Sequence, residues 1–407
     1  MEKLTVRGGR PLFGTVRVSG SKNAALPLIF ATVLTDSVCI IENVPSIRDV
    51  EISLEILASM GAEVRRTARA GVEICTKNMR ACLPPPDLVC SLRASTYLMG
   101  AMLGRFGRAY VQDFGGCNFS PRPIDMHLFA AKTLGAYREG DKLVAPRGLS
   151  GTVIPFEKVS VGATVNALLM AVTAKGTTEI QNAASEPHVE NLILFLRSMG
   201  ASITRIGTSL SVEGRPLGGG RVTVVGDMIE AGTYLLSGLA TGGSVTVEGC
   251  EASHLSPFLS LLQNGGASVK IKDGSITVSG RLLSPITVRT APYPGFPTDL
   301  QPQTALVGAL HCGAVVTERV FPERFGYLSE LKNMGLAFVR NGGSAYLFPS
   351  RLHAAAVQAQ DLRGGAALVL AALHASGEST VYGAVNVLRG YERIIEKFFG
   401  LGADVTS

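Results

Sequence analysis

The sequence contains no tryptophan, no run of five or six basic residues, and no apolar stretch near the roughly 18 residues needed to span a bilayer. The first two absences argue against a basic, aromatic-interleaved nucleic-acid surface. The third argues against a membrane helix, since the longest apolar runs, such as Ala366 to Leu373, are far shorter. The N-terminal Met1-Glu2-Lys3-Leu4-Thr5-Val6 alternates like a strand and lacks the basic patch and apolar core of a secretion signal. A soluble chain that is not exported is therefore expected. Cys39, Cys75, Cys82, Cys90, Cys117, Cys250 and Cys312 are odd in number and scattered, with no CxxC and no zinc-ligand spacing. A reducing cytoplasm fits them best. His127, His188, His254, His311, His353 and His374 form no HExxH or paired motif, so no metal is expected.

Charged residues are scarce, at 17%, while hydrophobic ones reach 46%, which excludes disorder and supports large cores. At 407 residues the chain exceeds what one core normally serves, and two domains are the default. The net charge of +6 is modest and suits a small anionic substrate better than a polyanion.

One pattern covers the whole chain. An amphipathic helix runs into glycine and then a short strand at Gly61, Gly135, Gly200, Gly266, Gly335 and Gly402, with spacings of 74, 65, 66, 69 and 67 residues. Glycine there fits a left-handed helix cap. Each unit also carries a helix of small residues: Lys22 to Leu34, Arg93 to Leu103, Thr164 to Ala174, Ile229 to Leu239, Asp299 to Leu310 and Arg363 to Leu373. Their Ala, Gly and Ser content lets backbones approach, so these helices should be buried and the amphipathic ones superficial. The units are long for a solenoid, which favours two groups of three with a ligand cleft between two similar globes.

Cys117 stands in Asp113-Phe114-Gly115-Gly116-Cys117-Asn118-Phe119-Ser120-Pro121-Arg122-Pro123, five residues from a guanidinium. A permanent positive charge lowers a thiol pKa and raises the reactive thiolate fraction, although a small apolar loop residue would look similar. Arg93, Arg363 and Lys22 each open a small-residue helix, where the positive helix end adds to an anion-binding field. Gly14 to Lys22 does not have Walker A spacing.

Together with Ser19-Gly20-Ser21-Lys22-Asn23-Ala24-Ala25-Leu26-Pro27, Leu92-Arg93-Ala94-Ser95, Arg122-Pro123-Ile124-Asp125, Val159-Ser160-Val161-Gly162-Ala163-Thr164, Thr290 to Asp299, Phe321 to Arg324, Asp361-Leu362-Arg363 and Arg389-Gly390-Tyr391-Glu392, this loop resembles the enolpyruvyl transferases of the EPSP synthase family from Met1 to Val405. Within the family the likeness is to the branch that acts on UDP-N-acetylglucosamine. The resemblance implies an α/β fold: a two-domain inside-out α/β barrel of six units of about 68 residues, three per domain. It implies an N-terminal catalytic domain over 22–229 with the Cys117 loop, a C-terminal domain over 1–21 plus 230–407, and an active site in the cleft.

The implied reaction moves the enolpyruvyl group of phosphoenolpyruvate onto the 3-hydroxyl of UDP-N-acetylglucosamine and releases phosphate, the first committed step of peptidoglycan synthesis. Lys22, Arg93, Arg122, Arg324, Arg363 and Arg389 are the implied cations for the anion, with Lys22, Arg122 and Arg389 in direct contact. Asp299 is the candidate general base, a helix N-cap role being its alternative. The resemblance further implies that Cys117 acts as acid toward C3, forms an adduct, and is the residue fosfomycin alkylates. Asn23 is expected on the acetamido sugar, Arg93, Arg122, Pro123, Ile124, Asp125, Met126 and His127 beside uracil and diphosphate, and Lys158, Ser160, Val161, Gly162 and Val320 around them. No cofactor, nucleic acid or membrane partner is implied, and a monomer is expected. The chain departs from the family at Asn118 to Pro121, at Tyr293, where histidine is common, and at Leu388, where aspartate is usual. Rival readings are transfer to UMP or shikimate 3-phosphate, and an inactive binding relative.

Overall fold

The structure is a computed structural model describing residues 3–68, 70–115 and 123–407. The chain forms two compact units. The C-terminal unit joins the described residues up to Ser19 to Gly226–Ser407, and the inserted unit takes the described residues from Gly20 to Val225. Each has its own core, around Leu4, Tyr234, Leu306 and Phe398 in the first and Phe30, Ile56, Leu169 and Phe195 in the second.

Among the described residues each unit holds three sheets. Those of the inserted unit are built in spatial order from Arg221–Thr223, Cys39–Glu42, Gly71–Cys75 and Glu63–Thr67; from Ser202–Ile206, Ser209–Glu213, Thr177–Gln181 and Val153–Pro155; and from Arg108–Tyr110, Lys142–Val144 and Tyr137–Glu139. The C-terminal unit has Ala356–Gln358, Gly377–Tyr382, Lys3–Gly8 and Asp404–Thr406; Ser268–Lys272, Ser275–Ser279, Ser244–Glu248 and Phe13–Arg17; and Ile286–Arg289, Ala314–Thr317, Ser344–Leu347 and Phe338–Asn341.

Parallel strands need a long crossover, and a buried helix supplies it. Val153–Pro155 leads through Val161–Ala171 to Thr177–Gln181, and Ile286–Arg289 through Gln301–His311 to Ala314–Thr317. At the two chain crossings this logic is exchanged. Phe13–Arg17 precedes the helix Lys22–Ala31 of the inserted unit but pairs with Ser244–Glu248. Arg221–Thr223 precedes the helix Met228–Thr241 of the C-terminal unit but pairs with Cys39–Glu42. The crossings therefore fall at Ser19–Gly20 and Val225–Gly226. Ser21 N–H donates to the Val225 carbonyl at 2.7 Å, and Asp227 N–H to the Ser19 carbonyl at 2.9 Å.

The six repeated glycines share one geometry, with φ between +91° at Gly402 and +106° at Gly266. The next N–H returns to the carbonyl five residues back: Ala62 to Leu57, Ala136 to Ala131, Ala201 to Leu196, Ala267 to Leu262, Leu336 to Leu331 and Ala403 to Phe398, all at 2.9–3.0 Å. This is a Schellman cap, and its left-handed position explains the glycine.

The small-residue helices are the buried ones. Leu362 to Leu373 is buried throughout the helix Leu362–His374. In the inserted unit Thr96–Phe106 packs on Val161–Ala171 so closely that a Cβ on Gly100 would stand 2.4 Å from Asn166 Oδ1. That contact carries a hydrogen bond, from Gly100 N–H to Asn166 Oδ1 at 2.8 Å.

Candidate active site

In the inserted unit, Lys22 is the first residue of the helix Lys22–Ala31, whose first turn has no acidic residue. Its Nζ lies 3.1 Å from Asp49 Oδ2, and the two side chains are only 13% and 4% exposed. Asp49 belongs to the first turn of Arg48–Ser59. The Asp49 carboxylate pairs with the lysine, and the helix N-terminus adds partial positive charge beside it. Asn23 follows, half-buried.

Arg93 opens a 3-10 turn, Arg93–Ser95, ahead of Thr96–Phe106. It is half-buried, and desolvation lowers its pKa. Its charge is felt by His127, which lies buried in the helix Asp125–Thr133. Burial first, then Arg93, pushes His127 down to about 4, with Asp125 opposing. The ring's tautomer follows from its neighbours. Asn166 Oδ1 is engaged by Gly100 N–H, so its Nδ2 donates to His127 Nδ1 at 2.8 Å and the proton sits on Nε2. A Cβ on Gly162 would stand 3.0 Å from His127 Cε1 and 3.1 Å from that Nε2, so a larger residue would have to push the ring aside. Ser160 caps Val161–Ala171 and accepts from Ala163 N–H at 3.4 Å. Pro123, Asp125 and Lys158 are exposed, and Ile124, Met126 and Val161 half-buried. Cys117 and Arg122 lie outside the described residues.

In the C-terminal unit, Asp299 sits inside the 3-10 turn Thr298–Leu300, whose N-cap is Pro297. The alternative expectation of an N-cap carboxylate is therefore corrected: the side chain serves two arginines instead. Arg324 Nη1 donates to Oδ1 at 2.6 Å and Arg363 Nη2 to Oδ2 at 2.8 Å. Burial would raise the Asp299 pKa, but Arg363 and Arg324 outweigh it and hold the carboxyl well below its ordinary value. The helix N-cap in this region is Asp361, which accepts from Arg363 and Gly364 N–H, both at 2.9 Å, and so fixes where Arg363 starts. The Arg363 guanidinium carbon lies 5.8 Å from the Tyr391 ring centre. Tyr391 Oη is 2.9 Å from Thr233 Oγ1 and accepts from Gln303 Nε2 at 3.3 Å. Arg389, half-buried at the end of Val385–Leu388, stands two residues before this tyrosine. Val320 is half-buried. Among the described residues no cluster of three His, Cys, Asp or Glu could hold a metal ion, and no helix is long and apolar enough to cross a membrane.

Residues 6–398 match the EPSP synthase family, described as EPSP synthase (3-phosphoshikimate 1-carboxyvinyltransferase). The chain belongs to the EPSP synthase family. A protein named UDP-N-acetylglucosamine 1-carboxyvinyltransferase 2 from Bacillus cereus is 44% identical over all of this chain and 96% of its own. One named UDP-N-acetylglucosamine 1-carboxyvinyltransferase 3 from Caldanaerobacter subterraneus subsp. tengcongensis is 41% identical, covering 100% and 99%. The crystal structure of the enolpyruvyl transferase NikO from Streptomyces tendae superposes with a TM-score of 0.87 at 26% identity, covering 99% of this chain and 98% of that one. An EPSP synthase from Acinetobacter baumannii gives 0.75 at 18%, covering 100% and 99%, a likeness of fold.

In this EPSP synthase family chain, the structure joins Asp299, Arg324 and Arg363 in one cluster, and elsewhere packs Gly162 against His127, whose pKa the Arg93 charge helps to lower. Sequence reasoning missed Asp49 and Asn166, and it named Tyr391 only as part of a motif, without its place beside Arg363. Asn166 left a signal, since an amide amid the apolar Val161–Ala171 must find buried partners. Asp49 left none, because surface carboxylates are written the same way.

Proposed function

We propose that this chain transfers the enolpyruvyl group of phosphoenolpyruvate to the 3-hydroxyl of UDP-N-acetylglucosamine with release of phosphate, the first committed step of peptidoglycan synthesis in the cytoplasm. The observation that carries this reading is identity of 41–44% over the whole chain to proteins of that name. The three sheets of each unit are read as an inside-out α/β barrel of six repeats, with the Cys117 loop in the inserted, N-terminal catalytic domain.

In this scheme Lys22, Arg93, Arg122, Arg363 and Arg389 bind phosphoenolpyruvate, and Asn23, Asp125, His127, Ser160 and Val320 bind the nucleotide sugar. The sugar oxygen bonds C2 while C3 takes a proton, giving a tetrahedral adduct. The bond from C2 to the phosphate oxygen then breaks, phosphate leaves, and loss of a C3 proton restores the double bond. Asp299 accepts the hydroxyl proton. Its two-arginine clamp makes it a weak base until an anionic substrate draws a guanidinium away, which ties proton transfer to substrate arrival. Cys117 serves as the acid toward C3 and as the fosfomycin target.

The test is phosphate release from phosphoenolpyruvate with UDP-N-acetylglucosamine, UMP or shikimate 3-phosphate as acceptor, before and after fosfomycin. Turnover with UDP-N-acetylglucosamine alone, abolished by fosfomycin with one covalent adduct at Cys117, is the expected result. Turnover only with another acceptor would discard the substrate assignment.

A further inference from the structure

Glu318 follows the strand Ala314–Thr317 and is 2% exposed. Its Oε1 accepts from Thr290 Oγ1 at 2.7 Å and from the N–H groups of Val320 and Phe321, both at 2.9 Å. Its Oε2 accepts from Thr298 Oγ1 at 2.9 Å. Thr290 Oγ1 in turn accepts from Arg319 N–H at 2.8 Å, so three successive amides converge on this one group directly or through a hydroxyl. Thr298 Oγ1 accepts from Arg324 Nη1 at 3.0 Å, and the same nitrogen donates to Asp299 Oδ1 at 2.6 Å. A second link runs through Phe321, whose ring centre lies 4.9 Å from the Arg324 guanidinium carbon.

We infer that Glu318 is a positioning residue for the transfer reaction: its buried carboxylate ties the turn carrying Asp299 to the segment carrying Val320 and Arg324. The proton acceptor and the sugar-facing wall are thereby set by one group. The inference rests on the function proposed above for this site.

The chemistry asks for a carboxylate. Four donors need an acceptor-only group. A glutamine can turn its carbonyl toward the three donors at Oε1, but its NH2 then faces Thr298. That hydroxyl would have a donor on each side and no acceptor for its own proton, so Glu318→Gln perturbs the Asp299 turn selectively. Thr298→Val breaks the same tie from the other end, and Thr298→Ser keeps the hydroxyl.

The experiment measures steady-state kinetics of Glu318→Gln, Thr298→Val, their double variant and Thr298→Ser. It adds amide hydrogen exchange of the substrate-free proteins over residues 296–301 and 318–324. Displacing a reacting group costs about tenfold to a hundredfold in rate. The expected result is a loss of kcat of that size in both single variants and a raised KM for UDP-N-acetylglucosamine. KM for phosphoenolpyruvate should stay within about twofold, the double variant should be no worse than the worse single one, and Thr298→Ser should recover activity. Exchange should quicken by about tenfold in both segments whichever end of the tie is cut. A merely structural glutamate would lower stability and leave both KM values alone.

Unchanged kcat in Glu318→Gln, effects that multiply in the double variant, or exchange that quickens only beside the mutated residue would overturn the inference. Should Glu318→Gln fail to fold, Thr298→Val and Thr298→Ser carry the same readouts. If the wild-type protein ignores UDP-N-acetylglucosamine, the substrate reading fails by itself. The exchange measurement, needing no substrate, then still decides the tie.

Discussion

Asn166 and His127 form a hydrogen bond whose direction is set from outside the pair. Gly100 N–H occupies Asn166 Oδ1, so the amide can only donate to His127 Nδ1, at 2.8 Å. With burial and Arg93 pushing the imidazole from 6.5 down to about 4, it is neutral in the native state at neutral pH.

Asn166→Asp should reverse this. An aspartate oxygen facing Nδ1 accepts a proton from the ring, so the His127 pKa should rise by more than about one unit. NMR titration of the imidazole would check it. The sign for stability follows: the wild-type contribution is full above 6.5 and is lost as pH falls through about 4. An unmoved His127 titration in Asn166→Asp would show that the amide does not set the tautomer.

Glu230 behaves oppositely. Burial pushes it from 4.5 up to about 7, although Lys397 Nζ lies 2.6 Å from it. Its folded pKa exceeds its unfolded one, so its contribution is full below 4.5 and is lost as pH rises through about 7. Wild type should therefore lose about 3 kcal/mol relative to Glu230→Gln between those limits. Denaturation midpoints of both proteins across that range would show the trend, and a pH-independent difference would refute it.

Asp299→Asn leaves Arg324 and Arg363, each 5% exposed, without their shared carboxylate. Breaking such a cluster should cost about 3 kcal/mol and at least about a hundredfold in transfer rate. Because the wild-type carboxyl titrates well below 3.8, its contribution is present above that value and lost only as pH falls through the depressed pKa. Denaturation at pH 5 and pH 8 should give the same deficit.

Two glycine substitutions separate conformation from contact. At Gly200 nothing lies within 4 Å of an added Cβ, but φ is +104°, so Gly200→Ala should cost about 1 kcal/mol. At Gly100 the Cβ would strike Asn166 Oδ1 at 2.4 Å. Gly100→Ala should cost about 2–3 kcal/mol and also shift the His127 titration, which Gly200→Ala should leave alone.

The repeat period, the glycine that ends each amphipathic helix and the burial of the small-residue helices were legible in the sequence. Each rests on hydrogen bonds or side-chain periodicity spanning a few residues, such as Ala201 to Leu196. The candidate cations were legible as residue types in motifs, Lys22 and Arg363 at helix starts among them. Their partners were not. Asp49 lies 27 residues from Lys22, Arg363 64 from Asp299 and Asn166 39 from His127, and no local rule chooses among the many carboxylates and amides of the chain. No local rule gives the crossings either; the resemblance alone implied them, near residues 21 and 230, and Phe13–Arg17 and Arg221–Thr223 exchange partners because Ser244–Glu248 and Cys39–Glu42 offer them open edges. Local pattern determined which elements form and which faces they bury. Tertiary packing alone decided which charge meets which, because a buried ion or amide takes whatever partner the assembled elements bring within about 3 Å.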